Sequence, residues 1–386
     1  METQVGIVGA GPAGLVLAHL LHLAGIESIV LESRSREYVE QRIRAGVLEQ
    51  GSVDLLVEAG VGERLQREGL VHHGIWLRFD GENHRLPLTE LSGGKSITIY
   101  GQQEVVKDLI AARLDEGLPL HFEAEVVDLR DVDSERPRIR FVDEGEVREL
   151  ECDVVAGCDG FHGVCRDAIA SALVPFSRDY PFAWLGILAS VAPASEELIY
   201  AWNERGFALH SMRTPELSRL YVQCRPDDDV AEWPDERIWE ELQARLGLPG
   251  FEGPILERGI TPLRSFVVEP MQQGRLFLAG DAAHIVPATG AKGMNLAIAD
   301  VRVLSDALTR WYRTGDASAL DAYSATCLRR VWRAEHFSWW MTSMLHRRDD
   351  ADPFDAQLQL SQLRYVTTST AAATMLAENY VGLERV

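Results

Sequence analysis

No stretch of about 18 uncharged apolar residues occurs in this chain, so the sequence offers no membrane-spanning helix. It has no basic excess either: 38 Lys and Arg stand against 59 Asp and Glu, a formal net charge of −21. A general nucleic-acid binder needs a basic face to neutralise phosphates, and this balance argues against one. It leaves room for a small anionic substrate, because a few local arginines can outweigh the global field. Cysteine is scarce. Cys152, Cys158, Cys165, Cys224 and Cys327 are odd in number and show neither CxxC nor zinc-type spacing. That argues against a disulfide framework and a metal site, and reads as the reduced thiols of a cytoplasmic protein. The N-terminal apolar run has no basic region before it and soon meets Gly and Pro, unlike a signal peptide. Internal repeats and low-complexity stretches are missing as well.

What is present is an ordinary globular composition, 46% hydrophobic and 25% charged over 386 residues. At about 100–200 residues per domain this suggests two or three domains. Residues 4–8 are short, apolar and β-branched, as a buried parallel strand should be. Gly9-Ala-Gly-Pro-Ala-Gly14 makes a turn, residues 15–24 a helix closed by Gly25, and residues 28–31 a second buried strand ending at Glu32. This is a βαβ unit with parallel strands. Residues 103–116 read as a helix. Residues 120–128, 138–143, 147–152 and 153–157 read as strands. Between 174 and 266 aromatics alternate with polar residues (Tyr180, Phe182, Trp184, Tyr200, Trp202, Phe207, Tyr221), which predicts an antiparallel sheet with one wet face. At 275–279 the buried-strand pattern returns, followed by Gly280-Asp281, so this strand should rejoin the first sheet. Residues after 293 are mostly helical, and the charged cluster 347–352 is a loop. The expected fold class is mixed α/β and α+β. A Rossmann-like domain spans 1–174, with 71–99 contributing to a substrate domain. The substrate sheet spans 175–266, residues 267–295 return to the first domain, and 296–386 form a C-terminal helical region.

Three motifs carry chemistry. In Gly9-x-Gly11-x-x-Gly14 the first glycine allows a tight turn, the second lets a pyrophosphate approach the backbone, and the third lets helix and strand pack closely. Glu32 then accepts from a ribose hydroxyl. Gly157-Cys-Asp159-Gly160 and Gly280-Asp281-Ala-Ala-His284 each follow a strand. An Asp there can bond a second ribose or a pyrophosphate edge. Taken alone, each of these two is a turn more often than a site. Together the three resemble the FAD fingerprint of the class A flavoprotein monooxygenases, the aromatic hydroxylases. The blocks RIRAGVLEQ (42–50), GCDGFHG (157–163), PLRSFVVEPM (262–271), 280–295, FSWWMT (337–342) and AENYVGL (377–383) are similar to the branch of that family acting on 4-hydroxybenzoate. The similarity runs from residue 3 to residue 383.

The resemblance implies a FAD-binding domain, a substrate domain, a helical region and a homodimer. The activity it implies is hydroxylation of 4-hydroxybenzoate to 3,4-dihydroxybenzoate with O2 and NADH or NADPH. Another para-substituted benzoate as substrate, or a FAD-binding redox sensor without turnover, are the other readings. Attack on an arene ortho to a phenol is helped by ionising that phenol. The site must therefore hold a carboxylate, take a proton from the para hydroxyl and exclude water. By resemblance Ser211, Arg213 and Tyr221 clamp the carboxylate; alternation along a strand puts Ser211 and Arg213 on one face. Tyr200 and Tyr380 carry the phenolic proton, and His72 is the far end of that path, unless it is a surface histidine beside His73. Arg42, Arg44, Gln102, Asp159 and Asp281 match FAD contacts. Lys292, Gly293, Met294 and Asn295 begin a helix under the flavin ring, whose N–H groups, with Asn295, would face the N1–C2 carbonyl edge. Arg219 matches a residue linked to flavin movement. Arg34, Tyr38, His162 and Arg264 match nicotinamide-donor contacts. In the segment 33–40 (SRSREYVE), Ser33 stands where NADPH-selective members carry arginine. Arg36 sits four residues before Glu40, which predicts that NADH serves at least as well as NADPH. One departure from the family is Ala288, where a second proline follows Pro287 in most members. Its carbonyl is the group expected to touch the substrate's para oxygen.

Overall fold

The computed structural model describes residues 1–42, 46–350 and 352–382. The strand Glu2–Val8 is the centre of a parallel sheet, flanked by Ser28–Leu31 on one side and Glu146–Gly157 on the other. Leu120–His121 extends the sheet beyond Ser28–Leu31, and Leu276–Leu278 pairs parallel with Glu146–Gly157. The late strand thus returns to the first sheet. Helix Pro12–Leu23 turns its buried Leu15, Leu17, Ala18 and Leu21 inward and packs against helix Gly293–Thr314.

Two strand expectations are corrected. The run 120–128 is two strands, Leu120–His121 and Glu125–Arg130, because Glu123 takes a φ of +56° and Ala124 N–H donates to the Glu32 carbonyl at 2.8 Å. The runs 147–152 and 153–157 are one strand, Glu146–Gly157. Its first half pairs antiparallel with Arg138–Asp143 and its second half parallel with Glu2–Val8, so Asp153 interrupts nothing.

The second sheet has eight strands in the spatial order His284–Ile285, Ile255–Glu269, Val174–Ala189, Leu217–Cys224, Ala208–Thr214, Ile199–Ala201, Ile75–Phe79 and Glu82–Leu86. All neighbours are antiparallel except Ile199–Ala201 with Ile75–Phe79, which run parallel. The wet face expected of this sheet is missing from its central strands, although residues 174–179 and 256–259 are exposed. Ala183, Leu185, Ile187, Leu220 and Val222 on one face pack against Ile238, Trp239 and Leu242 of helix Asp235–Leu246. The aromatic face (Phe182, Trp184, Tyr200, Phe207) packs against Phe337, Met341, Leu363, Leu376 and Tyr380 of the C-terminal helices. The side chains beside the aromatics, such as Ala183, Ala201 and Ala208, are small and apolar rather than polar, and they join the core under the helix. No helix among the described residues is long and apolar enough to cross a membrane.

Helix Tyr323–Leu345 lies along the junction of the two sheets and carries a buried carboxylate, Glu335. One oxygen accepts from Ser265 Oγ at 2.7 Å, and that hydroxyl also meets Tyr180 OH at 3.1 Å. The other oxygen has no hydrogen-bond partner. Burial pushes the carboxyl up from 4.5 to about 7, against weaker pulls from Ser265 and His284. The folded chain therefore binds a proton that the unfolded chain has released. The resulting stabilisation is full below about pH 4.5 and is lost as pH rises through about 7. Glu335→Gln keeps the acceptor for Ser265 and cannot ionise. It should raise stability over the parent by on the order of 1–3 kcal/mol at pH 8 and show no gain near pH 4.5. Denaturant melts across this range check it; parallel profiles for the two proteins would show that Glu335 keeps an ordinary acidity.

Candidate active site

The glycine turn after Val8 is dictated by contact. A Cβ at Gly14 would lie 2.0 Å from the Gly9 carbonyl oxygen, and Gly9, at φ +102°, faces the Cys158 carbonyl. Gly11 differs: a Cβ there meets no atom within 4 Å. The helix begins at Pro12 with no side-chain cap, so its first N–H groups face this open space. Glu32 Oε2 accepts from Ala10 N at 2.7 Å and Oε1 from Arg34 N at 2.8 Å. It thus braces the turn while keeping lone pairs for a ribose. Asp159 points inward. Its Oδ2 accepts from Cys165 N at 2.9 Å and its Oδ1 is buried without a partner, while burial pushes the carboxyl above the usual carboxylate range. Asp281 sits in the one-turn helix Gly280–Ala282. Asp300 holds that turn, accepting from Gly280 N at 3.0 Å and from His284 Nε2 at 2.6 Å. Gln102 opens the helix Gln102–Asp115, two residues after Tyr100, whose N–H donates to Gly46 O at 2.9 Å. Arg42 lies over the Tyr38 ring, 5.8 Å from its centroid. Arg44 lies outside the described residues.

Beyond Asp281 the chain reaches Ala291, at φ +54°, and the start of helix Gly293–Thr314. A Cβ at Gly293 would meet open space. Met294, next along, is half-buried against the core. Lys292 is buried, and its Nζ donates to Glu49 Oε1 at 2.6 Å and to the Tyr380 carbonyl at 3.0 Å. Arg330 reaches the other Glu49 oxygen at 2.9 Å. Burial pulls the Lys292 ammonium down against the opposing charge of Glu49. Glu49 and Arg330 were not foreseen, because nothing in the sequence marks Lys292 as buried, and it is burial that demands a carboxylate partner. The direct flavin contact expected of the Asn295 side chain is corrected. Oδ1 accepts from Glu49 N at 2.9 Å and Ser52 Oγ at 2.8 Å, and Nδ2 donates to Val47 O at 2.9 Å and Ala291 O at 3.0 Å. An amide with all four positions used has nothing left for a ring edge. Asn295 positions, and the first-turn N–H groups remain for an anionic edge.

Arg213 and Ser211 lie on strand Ala208–Thr214, Arg219 and Tyr221 on Leu217–Cys224, with Ser211 opposite Arg219. Arg213 Nη1 donates to Met212 O at 2.9 Å and lies 3.4 Å from Ser211 Oγ, but its buried Nε has no partner. Burial lowers the proton affinity of this guanidinium, with Tyr221 opposing. Arg219 stands over the Tyr221 ring, 5.3 Å from its centroid. Gly186 on the next strand makes room: a Cβ there would lie 3.0 Å from Arg219 Nη2 and 3.3 Å from the Tyr221 ring. Tyr200 and Tyr380, from the sheet and the last described helix, share a hydrogen bond of 2.5 Å between hydroxyls. His72 is 1% exposed, which excludes the surface reading. Neither of its nitrogens has a protein partner, and burial lowers its imidazole to about 4. Ala288 is exposed, and its carbonyl accepts from Ala291 N at 3.0 Å.

The expected donor residues form two clusters. Arg34 lies over the Tyr38 ring at 5.5 Å, and Arg36 is held by Glu40 at 2.6 Å. His162 and Arg264 meet at Phe161, with centroid distances of 5.0 Å and 5.1 Å.

These features fit FAD. Open positions at Gly11 and Gly293, each at an uncapped helix start, suit a pyrophosphate and an anionic ring edge, and Glu32 suits a ribose. Gly11→Val should therefore fold with the thermal stability of the flavin-stripped parent yet purify without flavin, because its side chain enters space that only a ligand needs. Gly14→Ala should lose soluble protein, because its methyl meets backbone. Absorbance at the flavin band and circular dichroism decide both; full flavin occupancy in Gly11→Val would move the pyrophosphate elsewhere.

Known proteins support this frame. A family model described as a FAD binding domain matches residues 2–338. A p-hydroxybenzoate hydroxylase of Acinetobacter baylyi is 51% identical, over 99% of this chain and 96% of its own. A rifampicin monooxygenase of Streptomyces venezuelae is 30% identical over 77% of this chain, which spans 62% of that protein. Among solved structures, a p-nitrophenol 4-monooxygenase of Pseudomonas putida superposes over the full length of both chains, with a TM-score of 0.87 and 19% identity. At that identity the likeness speaks for the fold alone. The family match and the full-length relative go further, and with them this chain belongs to the class A FAD-dependent aromatic hydroxylases.

Proposed function

We propose that this enzyme hydroxylates 4-hydroxybenzoate beside its hydroxyl, converting it with O2, NADH or NADPH and a proton to 3,4-dihydroxybenzoate, water and the oxidised nicotinamide. The observation that carries this reading is Arg213. It is half-buried, its inward Nε lacks a partner, and no carboxylate is paired with it among the described residues. Ser211, Tyr221 and Arg219 surround it. A half-buried guanidinium set among hydroxyl donors is built for a small carboxylate.

When bound, FAD takes a hydride from the nicotinamide and activates O2 toward the aromatic ring. The chain's own residues prepare that ring. Arg213, Ser211 and Tyr221 hold the carboxylate, which aims the para hydroxyl toward Tyr200. Tyr200 accepts the phenolic proton and passes its own to Tyr380. Burial pushes the pKa of both tyrosines above the ordinary phenol value, so both stay neutral and the proton crosses by exchange. His72, neutral and buried, stands at the far end of the path in this reading. The Ala288 carbonyl faces the same oxygen in this reading. The aromatic packing around Trp184 and Phe207 keeps water from the ring.

The reading includes a homodimer. Phe354, Leu358 and Tyr365 make an exposed row on one side of helix Pro353–Thr368, a surface suited to a second copy. Arg36, neutralised by Glu40, leaves the segment 33–40 short of free positive charge for a 2′-phosphate.

Three measurements test this. Arg213→Ala should weaken 4-hydroxybenzoate binding by about 2–5 kcal/mol with FAD content unchanged; unaltered affinity would place the carboxylate elsewhere. Tyr200→Phe should still bind substrate and allow flavin reduction, but return most of the O2 as H2O2. Coupling as tight as the parent's would refute the relay. Substrate-stimulated flavin reduction at matched donor concentration should be at least as fast with NADH as with NADPH. A preference for NADPH above about tenfold, ~1.4 kcal/mol, would show that Arg34 or Arg36 is free to hold the phosphate.

A further inference from the structure

The two ends of the proposed substrate site are joined behind it by a buried chain of side chains. At the phenol end, Thr289 follows Ala288 directly and is fully buried. Its hydroxyl accepts from Thr342 Oγ1 of helix Tyr323–Leu345 at 2.9 Å, and the same Thr342 hydroxyl donates to the Ser338 carbonyl at 2.7 Å. A hydroxyl has one proton, so Thr342 shares it between these two acceptors. Gly290, the next residue, is pressed onto the same helix: a Cβ there would lie 2.3 Å from Ser338 Oγ.

One turn on, the Thr342 carbonyl meets His346 Nδ1 at 3.1 Å, and His346 Nε2 meets Trp184 Nε1 at 2.6 Å. An indole N–H only donates, so Nε2 must carry a lone pair and Nδ1 the proton. His346 is 2% exposed and stacks on Phe207 at 4.3 Å and Phe182 at 4.8 Å. Burial holds the imidazole down to about 3, so this arrangement stays neutral at working pH. Trp184 packs against Tyr221 with ring centroids 4.9 Å apart, which reaches the carboxylate end. The residue after His346 makes a second tie. Arg347 N donates to Gln223 Oε1 at 3.1 Å, and Gln223 Nε2 donates back to the Arg347 carbonyl. Gln223 lies on the strand that carries Tyr221.

We propose that His346 is a positioning residue that fixes the distance between the carboxylate clamp and the Ala288 loop, and so selects benzoates by their length. The stretch from Thr342 to His346 is a strut of about 6 Å, one helical turn, with the loop fastened at one end and the clamp at the other. Nothing in this chain touches the reacting atoms. Its effect is on which molecule spans the site. The proposal rests on the reading that Arg213 binds the carboxylate of 4-hydroxybenzoate.

The test uses the FAD-loaded full-length enzyme and equilibrium binding of two probes, 4-hydroxybenzoate and 4-hydroxyphenylacetate, which is one methylene longer. Binding is read from the flavin absorbance change. The parent should prefer the shorter acid. His346→Phe keeps the stack and removes both hydrogen bonds. It should weaken 4-hydroxybenzoate tenfold or more and lower the preference at least fivefold, while His346→Gln restores most of both. Thr342→Val cuts the Thr289 bond at nearly constant volume and should lower the same preference, which covers the case where His346→Phe does not fold. Equal weakening of the two acids, or an unchanged preference in Thr342→Val, overturns the proposal. A parent that binds neither acid overturns the reading of the site itself, an outcome visible before any variant is made.

Discussion

An ammonium group with almost no exposure has to be neutralised where it stands, and the site is assembled around that requirement at Lys292. Its partner Glu49 ends a short strand of the FAD-binding region, and Arg330 reaches the same carboxylate from the long helix. The third bond goes to the carbonyl of Tyr380. Three segments distant in sequence are thus drawn to the N-terminus of one helix. Breaking a buried pair of this kind costs about 3–5 kcal/mol, because the remaining charge is left uncompensated. Gly382 shows how tight the assembly is, since a Cβ there would overlap the Glu49 carboxylate. Helix Gly293–Thr314 and the tyrosine pair are held in one frame by this contact.

Parts of this were legible from residues alone. Gly9 and Gly14 announce their turn because each answers a steric demand made by its own neighbours, while Gly11 leaves space that only a ligand needs. Strand Ser28–Leu31 is apolar at three of its four positions and ends where a carboxylate is needed. The pairing of Arg36 with Glu40 follows from helical spacing. The covered second sheet was not legible, because whether small residues such as Ala183 and Ala208 face water depends on a helix that enters the chain much later. Asn295 misled for a related reason. Its amide is spent on Glu49, Ser52 and Val47, which only the tertiary fold brings near. Trp184 was visible as an aromatic of the sheet, while its bond to His346 spans 162 positions and leaves no periodic trace.

The fold supports many chemistries. A Diels-Alderase structure superposes on 99% of this chain with a TM-score of 0.81. The architecture therefore supplies a cradle for a dinucleotide and a wall of sheet beside it, and what happens there depends on side chains. In this chain the wall presents two arginines, a serine and a tyrosine on adjacent strands, over a glycine that leaves them room. Alternation along the strands aims these groups one way while the opposite face builds a core with helix Asp235–Leu246.

The bond between Tyr200 and Tyr380 has a further consequence. Both groups are held neutral by burial, so a proton entering at one end leaves as a different proton at the other. After one passage each hydroxyl points the opposite way from before. A second proton cannot follow until both have rotated back, and the packed rings leave only the O–H torsions free to do so. In the proposed reaction the pair behaves as a turnstile, admitting one proton and then closing until it is reset. Its return would give each catalytic cycle a mechanical phase of its own, separate from oxygen chemistry and from release of the product.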